Sequence, residues 1–147
     1  MKTLLDPACH RQTLVRLRCL HRDAPARWGS LTAPRMVVHL TDQLRMTLGD
    51  VVVPPRRNVL HWPVLKPLVI YWFPWPRGRI KGSPQLFQSP PADWDADRSM
   101  LESLLARFLA DTRSVWPEDP YFGTMTRESW ARFTWRHFDH HFTQFGV

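Results

Sequence analysis

The chain has 147 residues, 44% hydrophobic and 22% charged, with eight tryptophans and eight phenylalanines. That length predicts one domain, residues 1–147, with its own core, and so many aromatics exclude a disordered chain. The net charge is +7, but the arginines are scattered, with no run of five and no RRM, KH or zinc-finger signature, so nucleic acid is not an expected partner.

The opening MKTLLDPACHRQ has no long apolar run and no small-residue cleavage site, so no signal peptide is expected. The most apolar stretch, residues 63–76, contains Lys66 and several prolines and is too short to span a bilayer. A cytoplasmic protein with no membrane partner is the expectation. Cys9 and Cys19 fit it: ten residues of helix set them about 15 Å apart, too far to bridge. Both are expected as reduced, partly buried thiols.

The first helix starts at Asp6-Pro7, with Asp as cap and Pro in the first helical position. Leu14, Leu17 and Leu20 follow at helical spacing, and Asp23-Ala24-Pro25 interrupts. The second helix starts at Thr32, tolerates Pro34 in its first turn and ends before Gly49. Its inner face is expected to hold Met36, His39 or Leu40, Gln43 and Leu44. From Asp50 to Asp93 the chain is proline-rich, which disfavours long helices. One short helix is possible at residues 64–73, with YWFPWP (71–76) packing over the other helices. A connection this long is expected to be functional or a lid.

Met100, Leu101, Leu104, Leu105, Phe108 and Leu109 give the third helix an amphipathic pattern that stops around Trp116-Pro117. The fourth starts at Thr126, with Glu128 favourable in its first turn, and runs to Gly146. The fold class expected is therefore all-α, a four-helix bundle with a long proline-rich crossover between the second and third helices.

The end of the fourth helix reads HFDHHFTQFGV (137–147). At 100° per residue His137 and His141 lie about 40° apart, one turn above the other, and His140 lies on the other side of His137. Gln144 continues the histidine row. Trp135, Phe138, Phe142 and Phe145 make a separate stripe, the expected core contact. A pair of imidazoles at i, i+4 can supply two nitrogens to one divalent ion, and a catalytic site usually takes three protein ligands. The third must come from another helix, and His39 on the second is best placed, with Asp42 one turn further on. His10 and His21, on a face of the first helix expected to be exposed, and His61, in the crossover, are weaker candidates.

The segments WGSLTAPRMVVHLTDQLR (28–45), GRIKGSPQLF (78–87), PYFGTMTRESW (120–130) and HFDHHFTQFG (137–146) together resemble the DinB-like superfamily. The resemblance is closest to a branch with a PxFGxxTxExW segment ahead of an HxDHHxxQFG ending, and it covers nearly the whole chain. It implies a four-helix bundle with a long connection between helices two and three, and a homodimer. It also implies a divalent metal, zinc or nickel, on His39, His137 and His141, with His140, Gln144 and Asp42 supporting the ligands or facing a substrate. The chain departs from such relatives at Arg35-Met36, where they often carry a polar His-Gln or Gln-Met pair. Characterised relatives include transferases and isomerases that use low-molecular-weight thiols, so the function implied is metal-dependent S-transfer with a small thiol as partner. A hydrolase using metal-bound water, and a non-catalytic bundle with a structural metal or histidine cluster, are the alternatives.

Overall fold

In a computed structural model of the protein, residues 1–56, 60, 62, 64–77, 87 and 89–147 are described. The regular structure among them is helical, with one isolated antiparallel bridge between Asp119 and Gly123. The all-α expectation holds at that level. Helix α1 (Pro7–Cys19) opens on the Asp6 carboxylate, which accepts the N–H groups of Ala8 and Cys9. Thr32 caps α2 (Ala33–Leu48), which stops at Gly49; its φ of 85° is left-handed backbone that costs glycine little. A single turn, α3 (Leu65–Pro67), leads into a π-helical turn, Leu68–Trp72. Asp93 caps α4 (Trp94–Ala110), and Thr126 caps α5 (Arg127–Gln144) with Glu128 in the first turn.

Helix α2 is the central element. It packs against α4 and α5, while α1 and the π-turn pack on α5. Thirteen of its sixteen residues are buried, including both His39 and Leu40. The single inner face expected for it is therefore too narrow, because α2 has neighbours on several sides. The core it organises includes Met36, Leu40 and Leu44 of α2, Leu101, Leu105 and Phe108 of α4, and Trp130, Phe138 and Phe142 of α5.

Two boundary expectations change. Helix α4 ends at Ala110 rather than near Trp116. Asp111 is extended and pairs with Arg113, whose Nη1 donates to the Leu48 carbonyl at the end of α2, 3.0 Å away. That bond draws the chain off the helix axis, and Trp116 packs separately on Phe108. Within α4, Met100 is exposed and Leu109 only partly buried, so the inner line is Leu101, Leu104, Leu105 and Phe108. On α5, Phe138, Phe142 and Phe145 are buried as expected, but Trp135 is half-exposed beneath Lys2 and Arg132. The buried line runs instead from Trp130 through Ala131 and Thr134 to Phe138.

In the 50–93 connection the expected short helix is present as α3 and the π-turn, held down from α5. Arg132 Nη2 donates to the Tyr71 carbonyl at 3.2 Å, and Arg136 Nη1 donates to those of Val69 and Ile70 at 2.9 and 3.0 Å. Carbonyls at the end of a helical turn lack intrahelical donors, and these guanidinium groups supply them. Of YWFPWP, Tyr71 and Trp75 pack inward while Trp72 and Phe73 are exposed. His61 and segment 78–87, apart from Phe87, lie outside the described residues. Cys9 is buried, Cys19 is exposed, and both are free. No helix among the described residues is long and apolar enough to cross a membrane.

Because Phe108 is fully buried in the core with its ring against Trp116, Phe108→Ala is expected to lower stability by about 3–5 kcal/mol. Thr32→Ala, which removes only a cap, is expected to cost about 1 kcal/mol. Urea unfolding of the two variants measures both.

Candidate metal centre

His39 enters from α2, and His137 and His141 from successive turns of α5. His137 Nε2 lies 3.1 Å from His39 Nε2 and 3.1 Å from His141 Nε2. One ring nitrogen from each of the three lies within 4.8 Å of the others. An imidazole nitrogen has one in-plane site, carrying either a proton or a lone pair. His137 Nε2 therefore cannot satisfy both neighbours by linear hydrogen bonds, whereas lone pairs converging from three rings suit a shared cation. Tetrahedral zinc with bonds of about 2.0–2.1 Å sets neighbouring nitrogens roughly 3.3 Å apart, close to the two short spacings. The three histidines thus fit a divalent ion.

One ring has its tautomer fixed by a chain of bonds. Gln144 Nε2 donates to the Trp28 carbonyl at 2.6 Å, so Gln144 Oε1 faces His141 and accepts from Nδ1 at 2.9 Å. With its proton on Nδ1, His141 keeps a lone pair on Nε2, directed at the cluster. A ligating histidine commonly gives its other N–H to such a partner. Gly29 makes room for the arrangement: its φ is 75°, and a Cβ there would sit 2.9 Å from Gln144 Nε2. The Arg27 N–H donates to the Gln144 carbonyl at 2.8 Å, tying the same loop to the end of α5.

Burial keeps the α5 histidines in their neutral form near pH 7. Burial pushes His141 down to about 3, with the neighbouring His39 adding to the effect and the Gln144 bond opposing it. His137 is lowered well below the ordinary value, first by burial and then by His141 and His39. Burial and the Arg77 charge lower His140. Neutral imidazole is the form that binds metal.

The cluster opens on a cavity of about 790 Å³. Phe87 stacks flat on His39, with centroids 4.2 Å apart and planes 6° apart. Trp75 leans on Phe133, His137 and His140, and His140 stands edge-on to Trp28 and His141. Of the residues expected beside the ligands, Gln144 bonds one and His140 touches one. Asp42 does not line the cavity: its Oδ1 accepts from Ser89 at 2.8 Å and lies 3.6 Å from Arg45. Arg35, the point of departure from the family pattern, donates to the carbonyls of Phe87 and Ser89. Arg35 holds Phe87 and Ser89, Asp42 holds Ser89, and Phe87 covers His39. His10 and His21 are not among the cavity residues.

Several contributors were not singled out by sequence: Phe87, Trp28 with Gly29, and Asp119, whose Oδ1 accepts the N–H groups of Tyr121 and Phe122, while Trp75 comes from the YWFPWP segment expected to pack over the helices. Only Gly29, inside the WGS segment, carried a local signal, since an isolated glycine beside an aromatic marks a close approach or a positive φ.

These features define an all-α protein with a three-histidine cluster at the head of an aromatic cavity. Residues 75–146 match the model of a family described as a protein of unknown function (DUF1569). The match takes in α4, α5 and the His137–His141 pair and leaves His39 outside it. Among curated proteins and solved structures, none matches the chain.

Gln144→Leu is expected to weaken zinc binding about 10- to 100-fold by releasing His141, as competition with a chelating dye would measure. In metal-free protein the folded pKa of His141 lies near 3, against an ordinary value of 6.5. The unfolded chain therefore takes up this proton first as pH falls. Stability from the neutral ring is complete above pH 6.5 and is lost as pH falls toward 3, by at most about 1.4 kcal/mol per pH unit. Melting curves of chelator-treated protein between pH 7 and 5 should show a fall that His141→Gln makes shallower.

Proposed function

We propose that the protein is a DinB-like metalloenzyme in which His39, His137 and His141 hold a divalent ion, zinc or nickel, and that it transfers the sulfur of a low-molecular-weight thiol to a small electrophile. The observation that carries this reading is the convergence of three imidazoles at the edge of a cavity large enough for a small molecule. Helices α1, α2, α4 and α5, with the 50–93 connection between α2 and α4, match the order of helices in a four-helix bundle with one long crossover.

An ion held by three protein ligands keeps a position for an exogenous group and lowers the pKa of a thiol or water that binds there. The chain's own residues provide the rest. Gln144 holds the His141 proton on Nδ1, Phe87 and Trp75 keep water from the rings, and Arg35 and Asp42 fix the segment that carries Phe87. Neither cysteine lines the cavity, so the reacting thiol belongs to a cosubstrate. In the net reaction a sulfur–carbon bond forms, the carbon's bond to its leaving group breaks, and the thiol proton is released.

Hydrolysis is the weaker reading. It needs a general base for water, and Asp119, the acidic residue among the described cavity residues, has Oδ1 committed to two backbone N–H groups. Glu128 lies in the first turn of α5, more than two turns from His137.

Elemental analysis tests the reading. Native protein is expected to hold one divalent ion per chain, His39→Ala, His137→Ala and His141→Ala to lose it, and His140→Ala to keep it. A full complement of ion in His137→Ala would sink the assignment.

A further inference from the structure

A smaller groove lies beside the main cavity and shares Trp28, Trp75 and His140 with it. His140 stands at the boundary, edge-on to His141 with ring centroids 5.3 Å apart. The groove has a volume of about 250 Å³ and a chemistry unlike that of the cavity. Arg77, Arg136 and Asp139 line it, whereas no lysine or arginine is among the described cavity residues.

The charges around the groove do not cancel. Asp139 Oδ1 is held by Arg16 Nη1 at 2.5 Å, so the one carboxylate among the described groove residues already has its cation. Arg136 lies over the Trp75 ring at 5.3 Å, and its Nη groups donate to the carbonyls of Val69, Ile70 and Phe73. A carbonyl accepts a proton but carries no charge, so the positive charge of Arg136 remains. Arg77 lies over the Trp28 ring, its Cζ 4.7 Å from the centroid, and has no carboxylate or carbonyl partner among the described residues. Attraction to a ring face uses the charge of a guanidinium group and leaves its N–H donors for an acceptor. That charge is felt at His140, whose pKa is lowered by burial and then by Arg77.

A cavity with a histidine cluster at its head and a cationic groove beside it suits one molecule with two different ends. A cleft lined by one sign of charge concentrates the opposite sign, and the planar fork of arginine matches a carboxylate through two parallel bonds. The path from cluster to groove runs through close contacts: His141 to His140, His140 to Trp28 at 5.7 Å, and Trp28 to Arg77.

We propose that the groove seats the carboxylate of the small thiol whose sulfur reaches the ion, with Arg77 donating to it and Arg136 adding charge. The inference rests on the reading above for the ion and the thiol, and adds that the cosubstrate is anionic at the end away from its sulfur. Arg77 thereby sets specificity without touching the ion or the reacting atoms.

Calorimetric titration of the zinc-loaded full chain tests it with three thiols of similar length: 6-mercaptohexanoate, an anion, 6-mercaptohexanol, which is neutral, and 6-aminohexanethiol, a cation. The carboxylate is expected to bind about 3- to 10-fold tighter than the alcohol, a modest ratio because Arg77 is exposed, and the amine to bind weakest. Arg77→Gln is expected to bring carboxylate and alcohol within about twofold of each other. Unchanged binding of the alcohol shows that this variant folds and keeps its ion. Arg77→Lys, with the charge but not the fork, is expected to keep part of the ratio. Arg11→Gln, the same charge change outside both linings, is expected to keep all of it. Equal binding of carboxylate and alcohol, a ratio that survives Arg77→Gln, an equal loss in Arg11→Gln, or no saturable binding would overturn the proposal. After chelation all three thiols are expected to weaken together with the ratio kept. Weakening of the carboxylate alone would put that group on the ion and also overturn it. Absence of metal by elemental analysis would remove the ion from the reading above and leave the Arg77-dependent ratio standing, whereas loss of the ratio would leave the metal assignment standing.

Discussion

Three imidazoles buried against one another impose the constraint around which this molecule is arranged. They cannot all satisfy a common point with protons, since His137 Nε2 meets both His39 Nε2 and His141 Nε2 at 3.1 Å. To bring them together, α2 must run through the interior, buried along most of its length, with α5 alongside. Five of the buried residues of α2 are polar: Thr41 and Thr47 give their protons to carbonyls one turn back in the same helix, and His39, Asp42 and Gln43 lie at or beside the cavity. Of the three, only Asp42 is turned away from the cavity, and it acts through Ser89.

Irregular segments close the site, and each is held by side chains from α2 or α5 reaching backbone carbonyls. Gln144 holds Trp28, Arg35 holds Phe87 and Ser89, and Arg132 and Arg136 hold the turn that precedes Trp75. Such bonds give loop segments the positions that regular ladders give helices, and a guanidinium group with five donors suits several carbonyls at once. The positive charge of the chain has a structural use here. Arg16 reaches Thr143 and the Val147 carbonyl, and Arg113 and Arg127 reach the carbonyls of Leu48 and Leu109. Composition and spacing do not show this use of a scattered basic excess, because a carbonyl partner leaves no mark in the sequence.

The sequence by itself determined the helices whose ends are written in short-range chemistry. Asp6-Pro7, Thr32, Gly49 and Thr126 act at those positions because caps and left-handed stops depend on neighbours within four residues. It also determined that His137 and His141 share a face, since helical geometry requires it, and it separated them from Phe138 and Phe142. Tertiary structure alone decided what lies across from that face. That His39 faces the pair, that Arg113 ends α4 at Ala110, that Trp135 stays half-exposed while Trp130 is buried, and that Phe87 stacks on His39 all depend on contacts between residues far apart in the chain. Local pattern carries no record of such contacts, because packing between helices is chosen by the whole set of surfaces at once. The sequence supplied two converging histidines and a candidate third; the packing of α2 on α5 made them one site and gave it a cavity.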